Sequence, residues 1–297
     1  HNDVGSFTLY KEGKPFLIDL GVETYTKKTF SEDRYEIWTM QSAYHNTVSF
    51  LDGPDNYLLN SSGNPASDVG QSERISTESN VLTESDKTES IAPCGKAFVM
   101  QKPGKEYGAK DVICTINEIY SSIRMDIAGA YGDGRIKNYL REVTLFRRES
   151  KKDNMCESKN GNTSENKNRD IAAAAQETED FVLIEDRCEG ALPAVLTLMT
   201  YEKPFIIENN IEKRKDRLNN NNAIHQRNFG NTSQSNRDSE KLIIAIGDLG
   251  LIEAEGIEKI SIEACPIKDE RLKLAWKHDC YRILLKMKKD SAVIRIC

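Results

Sequence analysis

The sequence predicts an all-β fold, either a sandwich or a barrel, that carries long polar insertions. Ten or more short runs of apolar and β-branched residues recur along the chain, with almost no helical periodicity between them. Three long stretches rich in Ser, Asn, Asp, Glu and Lys interrupt these runs. The chain has 297 residues, and a hydrophobic fraction of 38% is thin for two complete cores. We therefore expect one ordered domain over residues 1–297.

The first predicted element is a β-hairpin. Residues 6–10 and 15–19 are short, partly alternating runs, and the sequence KEGK between them has the composition of a tight turn. Nine further runs have the residue types and lengths of strands. They lie at residues 46–50, 111–119, 121–127, 139–146, 181–185, 194–201, 242–246, 257–262 and 281–285.

The three polar stretches lie near residues 53–92, 149–179 and 208–240. They hold too little apolar surface to offset the conformational entropy of the chain, so we expect mobile loops inserted into the β-domain. Four alanines at residues 172–175 favour one helical turn at most. Short glycosylation sequons, which arise readily in such sequence, occur in these stretches at Asn60, Asn162 and Asn231.

Charge and hydropathy exclude some classes of partner. The chain has 41 Lys and Arg against 47 Asp and Glu, a net charge of −6, and no basic stripe of the kind that follows a phosphate backbone. Nucleic acid is therefore not an expected partner. No run approaches the roughly 18 apolar residues that span a bilayer, so we expect no membrane span. The first residues do not have the basic-then-apolar form of a signal peptide. Because the chain starts at His1, a native leader would already be absent.

The seven cysteines are scattered along the chain, and no Cys-x-x-Cys pair occurs. Several lie in apolar strand-like sequence, as Cys114 does. We expect buried thiols rather than a disulfide framework or a thiolate metal site.

Two of the four histidines lie in polar, Asn-flanked sequence, namely His1 and His45. Asp19 lies between them, at the end of an apolar run. Two imidazoles and one carboxylate suit zinc, with a fourth position left for water. Because His1 and Asp19 flank the predicted hairpin, its paired strands would bring them together, and His45 would come from a neighbouring strand. We interpret the other two histidines, His225 and His278, as surface residues.

Four segments at the start of the chain resemble the β-sandwich of heparinase II/III-type polysaccharide lyases in order and spacing. They are residues 1–7 (HNDVGSF), 14–21 (KPFLIDLG), 24–26 (TYT) and 44–47 (YHNT). Weaker similarity continues through residues 100–102, 107, 140–146, 198–200, 203–204, 269–272 and 281–285. The resemblance implies a large antiparallel β-sandwich that forms the carboxy-terminal domain of a longer enzyme.

In that family an amino-terminal α/α toroid packs on the sandwich, and uronic-acid polysaccharides such as heparan sulfate or alginate are cleaved by β-elimination between them. The resemblance implies that His1, Asp19 and His45 match the ligands of a structural zinc ion. It also implies that Tyr35 matches a tyrosine that reaches the cleft in some members. The expected partners are therefore an acidic polysaccharide and the toroid of the same parent chain.

The resemblance also implies that the main catalytic groups lie upstream of His1. Elimination requires a neutralised carboxylate, a base for the C5 proton and an acid for the bridging oxygen. We expect the fragment alone to be inactive or nearly so, and to hold zinc more weakly than the full-length enzyme. The family is typical of the bacterial periplasm or cell envelope, whereas unpaired cysteines favour a cytoplasmic location.

Two other functions are compatible with the residues. In the first, the sandwich binds carbohydrate without catalysis, and Tyr25, Tyr35 or Trp38 stacks on sugar rings. In the second, His1 and a second histidine hold copper, as in polysaccharide monooxygenases. The sequence after His1 does not resemble those enzymes, and Asp19 has no role in such a site.

Overall fold

A computed structural model describes residues 1–53, 98–147, 179–207 and 241–297. Apart from their end residues Gly53 and Glu179, the three predicted polar insertions lie outside the described residues. The three sequons, the alanines at 172–175 and His225 lie outside them as well.

The described residues form an antiparallel all-β structure, as the sequence predicts, with fifteen strands. The strands are β1 (Leu9–Lys11), β2 (Lys14–Leu17), β3 (Val48–Leu51), β4 (Phe98–Val99), β5 (Lys110–Ile116), β6 (Tyr120–Asp126), β7 (Ile136–Phe146), β8 (Phe181–Gly190), β9 (Ala194–Thr200), β10 (Pro204–Ile207), β11 (Leu242–Ile246), β12 (Gly250–Glu255), β13 (Ile257–Cys265), β14 (Cys280–Met287) and β15 (Ser291–Ile296). Helical structure among these residues is limited to short turns. They are the α-helical turn α1 (Leu272–Ala275) and 3₁₀ turns at Lys28–Phe30, Glu32–Glu36, Trp38–Met40, Ser42–Tyr44 and Ala128–Ala130. No helix in the described part of the chain is long and apolar enough to cross a membrane.

Two sheets pack face to face. The larger has eight strands in the order β10-β11-β12-β15-β8-β7-β6-β5, and the smaller has five in the order β13-β14-β9-β3-β4. Core clusters contain residues from both sheets, for example Ile184 and Ile294 from the larger with Leu196 and Leu198 from the smaller. This shared core confirms the sandwich.

The central strands β9 and β3 of the smaller sheet are buried on both faces. Every residue of β9 is buried. Successive side chains of a strand point to opposite faces, and Leu196 and Leu198 face the larger sheet. Val195 and Met199 pack in a second cluster with Leu20, Tyr44 and other residues of the outer segments. An outer layer of irregular chain therefore covers this part of the sheet.

The predicted hairpin is confirmed with shorter arms, since β1 and β2 pair around the turn residues Glu12 and Gly13. All nine other predicted strands are present. The strand at residues 242–246 has the predicted bounds, and the other eight have changed ends. The sequence reading missed β4, β10, β12 and β15.

The prediction that Cys114 is buried is wrong. It lies on β5, the edge strand of the larger sheet, and is exposed. The apolar composition of β5 indicated a core strand, but the smaller sheet does not extend far enough to cover it. Cys265 and Cys280, by contrast, are buried as predicted.

Candidate metal centre

Met199 of β9 is hydrogen-bonded to both of the outer segments that carry Asp19 and His45. The amide N–H of Ile18 donates to the Met199 carbonyl at 2.9 Å, and the Met199 N–H donates to Asn46 Oδ1 at 2.7 Å. Asp19 directly follows Ile18 in the sequence, and His45 directly precedes Asn46. The two hydrogen bonds therefore set the positions of Asp19 and His45 relative to one strand.

Asn46 connects three segments of chain and is fully buried. Its side-chain Nδ2 donates to the Phe7 carbonyl at 2.7 Å and to the Ile18 carbonyl at 3.0 Å. Its backbone N–H donates to Ser6 Oγ at 3.1 Å. The opening motif, the end of the hairpin and β9 therefore meet around one amide.

The two residues before His45, Ala43 and Tyr44, contact the buried guanidinium of Arg282. Arg282 of β14 lies 4.2 Å from the centroid of the Tyr44 ring and donates to the Ala43 carbonyl at 3.2 Å. Glu263 on β13 pairs with this arginine. The 3₁₀ turn that ends beside His45 therefore has a charged, hydrogen-bonded support.

The opening motif, residues 1–7, is hydrogen-bonded to Gln101. Asn2 donates to the Gln101 carbonyl at 2.9 Å, and the Gln101 side chain exchanges two hydrogen bonds with the Val4 backbone, at 2.7 and 2.8 Å. Arg141, which is buried and paired with Asp186, donates to the Gly5 carbonyl at 2.9 Å. These contacts fix the backbone that carries His1.

Four side chains converge where these segments meet. The ligand atoms of His1, Asp3, Asp19 and His45 all lie within 4.8 Å of one another. The two imidazole rings lie with their centroids 5.1 Å apart. The structure thus brings together the three residues predicted as ligands and adds Asp3, which the sequence reading missed.

The carboxylate of Asp19 is already oriented toward His45. Its Oδ2 lies 3.0 Å from His45 Nδ1, and its Oδ1 accepts from the Gly21 N–H at 2.8 Å. The hydrogen bond to His45 lowers the pKa of Asp19, and partial burial opposes that shift without cancelling it. Asp19 is therefore ionised at neutral pH, as a metal ligand must be.

His45 supplies the observation that tests whether a metal fits. Its side chain is 0% exposed, and Nε2 has no hydrogen-bond partner among the described residues. A buried polar atom without a partner is costly, on the order of 1–3 kcal/mol. A cation among the four side chains would satisfy this nitrogen, and the donor set of two nitrogens and two carboxylates is one that zinc accepts.

Tyr35 lies apart from this group. It is half-buried in the turn Glu32–Glu36, where its carbonyl accepts from Gln41 Nε2 at 3.1 Å and the Arg34 guanidinium lies 5.4 Å from its ring centroid. His278, predicted to be a surface residue, is exposed and stacks on Tyr201 with ring centroids 3.9 Å apart. Neither residue belongs to the four-residue group.

The fold and site define an antiparallel β-sandwich whose surface segments gather two imidazoles and two carboxylates. Residues 1–92 match the family described as heparinase II/III-like, C-terminal. The match confirms the resemblance over the part of the chain that contains all four clustered residues. Over its first 92 residues the chain is therefore similar to this family.

Comparison with solved structures finds heparinase III. One structure, with methylated lysines, is 11% identical with a TM-score of 0.40, and a second is 10% identical with a TM-score of 0.39. Each alignment covers 100% of this chain but only 29% and 30% of the respective heparinase III chains. The chain thus spans less than a third of their length. A search of curated proteins returns no match.

Proposed function

We propose that this chain is the carboxy-terminal sandwich of a polysaccharide lyase that cleaves uronic-acid polysaccharides by β-elimination. The observation that carries the proposal is the family match over residues 1–92, within which the four-residue group lies. The substrate class is that of heparin, heparan sulfate or alginate. We propose that the toroid and the main catalytic groups belong to a longer polypeptide, and that this polypeptide is located in the periplasm or cell envelope, as the family resemblance suggests.

We further propose that His1, Asp19 and His45 hold a structural zinc ion. Bound there, zinc would cross-link three segments that are far apart in sequence. The support is the buried, unpartnered Nε2 of His45 and the ionised carboxylate beside it. The contribution of these residues is to order the segments that face the substrate, while proton transfer takes place on other groups.

Tyr35 is the residue of this chain that we propose reaches the cleft. Its backbone is anchored by Gln41, four residues before His45. A metal that orders the segment around His45 therefore also steadies the turn carrying Tyr35. We expect Tyr35→Phe to lower the rate of elimination and leave zinc content unchanged.

The activity is tested on the full-length protein. Elimination creates a double bond in the uronate product, so ultraviolet absorbance should rise with heparin, heparan sulfate, alginate or chondroitin as substrate. Metal analysis of the same preparation should give one zinc per chain. No absorbance change with any of the four polymers would refute the lyase proposal.

A second candidate function, carbohydrate binding without catalysis, is favoured by one observation. Tyr25 is 54% exposed and Phe30 is 78% exposed, with ring centroids 5.6 Å apart and the Arg271 guanidinium 4.4 Å from the Tyr25 ring. Exposed aromatics with a neighbouring cation suit an anionic sugar. Trp38 is less suited to this role, because it packs against the core and donates to Glu23 at 2.7 Å. Glycan binding without an increase in absorbance would support this function over the lyase.

The copper alternative uses the same two histidines. The clustered carboxylates of Asp3 and Asp19 have no role in a copper site of that kind, so the donor set favours zinc.

A further inference from the structure

The carboxylate of Asp3 belongs to the four-residue group, yet no described residue satisfies it. Its ligand oxygen lies within 4.8 Å of the ligand atoms of His1, Asp19 and His45. No hydrogen bond or ion pair to this carboxylate occurs in the part of the chain that the structure describes. The same group contains a second atom without a partner among the described residues, the buried Nε2 of His45.

The backbone around Asp3 is fixed on both sides. The N–H of Asn2 donates to the Met40 carbonyl at 3.1 Å, and the Val4 backbone is paired with the Gln101 side chain. The Ser6 N–H donates to the Asp3 carbonyl at 2.9 Å, and this hydrogen bond closes a tight turn. Gly5 has a φ of 80° in this turn, a conformation that favours glycine. The turn therefore presents Asp3 to the group in a preorganised position.

We propose that Asp3 is the fourth protein ligand of the zinc ion. The inference rests on the proposed zinc site and deepens it. His1 and His45 supply two neutral nitrogens, and Asp3 and Asp19 supply two anionic oxygens, which together satisfy a tetrahedral ion.

Charge balance favours four protein ligands over three. Two carboxylates offset the charge of Zn²⁺, whereas one carboxylate would leave a net positive charge beside the His45 side chain, which is 0% exposed. Attraction between that residual charge and the nearby Asp3 carboxylate favours the neutral complex. The ligand atoms of the four side chains lie within 4.8 Å of one another, so all four are near enough to share one ion.

A closed coordination sphere has a chemical consequence. Zinc with four protein ligands has no exchangeable water and serves structure, whereas zinc with three keeps an open position. The alternative to our proposal is a solvated Asp3 beside a zinc ion that carries a water molecule. The two arrangements differ in their response to a small anion that competes for an open position.

Cobalt(II) in the full-length protein distinguishes them, because its visible spectrum reports its ligands. We expect the spectrum of the cobalt-substituted wild-type protein to be unchanged by sodium azide. Asp3→Ala should bind cobalt and zinc on the order of 100-fold more weakly, since loss of even an outer contact costs 10- to 100-fold. Its spectrum should then shift with azide. The matched control is Asp33→Asn, at an exposed carboxylate outside the group, which should behave as wild type.

Each result is decisive. An azide-induced shift in the wild-type protein would overturn the assignment of Asp3 and leave the zinc site with three protein ligands. This arm requires no variant, so misfolding of Asp3→Ala does not affect it. Unchanged metal affinity in Asp3→Ala would also overturn the assignment. If the wild-type protein bound neither zinc nor cobalt, both the zinc site and the role of Asp3 would be refuted, whereas the lyase activity is judged by its own absorbance assay.

Discussion

The substitution Asn46→Asp tests whether one buried amide holds the candidate site together. It replaces the Nδ2 group by an oxygen of nearly the same size, so the packing is retained. The acceptor for the Met199 N–H is kept, while the donations to Phe7 and Ile18 at 2.7 and 3.0 Å are lost. Two buried carbonyl groups then face a carboxyl oxygen instead of a donor.

The expected loss of stability follows from those two carbonyls. Each buried group left without its partner costs about 1–3 kcal/mol, and burial of the new carboxylate adds to this. We expect the free energy of unfolding to fall by about 4 kcal/mol. A typical domain has about 5–15 kcal/mol in total, so the variant should unfold at a much lower denaturant concentration or be partly unfolded.

Urea unfolding followed by tryptophan fluorescence measures the effect. Trp38 and Trp276 both pack in the cluster that contains Leu20 and Tyr44, so they report on the outer layer. The matched control is Asn117→Asp, because the exposed Asn117 uses its Oδ1 only to accept from two N–H groups, which aspartate also does. The control should change stability by less than about 0.5 kcal/mol. Equal unfolding curves for the two variants would refute the reasoning.

Three further predictions concern charged and thiol groups. Burial raises the pKa of Glu23 above its unfolded-state value of 4.5. The folded protein therefore loses stability as the pH rises from 4.5 through the folded-state pKa, because the buried carboxyl must then ionise. Glu23→Gln should raise the midpoint of urea denaturation at pH 7, and should raise it less at a pH below 4.5. An equal increase in the midpoint at both pH values would contradict this prediction. Asp186→Asn leaves the buried Arg141 charge without its anionic partner and should cost about 3–5 kcal/mol in calorimetry. Arg141→Met with Asp186→Leu removes that charge but leaves the Gly5 and Asn46 carbonyls without their donor, so it should recover only part of the loss; full recovery would contradict a role for these two hydrogen bonds. Burial raises the pKa of the Cys280 thiol to about 12, so little of it is the reactive thiolate at neutral pH. Iodoacetamide should therefore label the exposed Cys114 well before Cys280 in the native protein, and mass spectrometry of peptides measures both. Equal rates of labelling would contradict the burial of Cys280.

Local sequence predicted much of the fold because hairpins and strands depend on neighbouring residues. The turn at Glu12 and Gly13 lies between two apolar runs, and the predicted hairpin is present. Strand β15 was not predicted, although its sequence SAVIRI contains the β-branched residues typical of strands. It nevertheless lies inside the larger sheet, between β12 and β8, because its pairing partners come from distant parts of the chain.

The candidate site likewise contains residues that the local sequence predicted and one residue that it did not. Asp19 was recognisable because it stands at the end of an apolar run, and His1 and His45 because they lie in polar, Asn-flanked sequence; all three resemble a known motif. Asp3 was missed because a carboxylate two residues after a histidine is usually a solvated turn residue. The available signal was Gly5, two residues after Asp3, because a glycine at this position of a tight turn reverses the chain and can place Asp3 beside His1.

The sequence by itself determined the strand-rich class, the opening hairpin and three of the four residues of the site, because alternation, turn composition and motif spacing are local properties. Only the tertiary structure decided that Met199 is hydrogen-bonded to Asn46, 153 residues away in the sequence, and that Asp3 joins the group. The division into two sheets, with β9 buried on both faces, was likewise decided by tertiary packing. Such contacts depend on which distant segments bury each other's polar groups, and no local pattern encodes that choice.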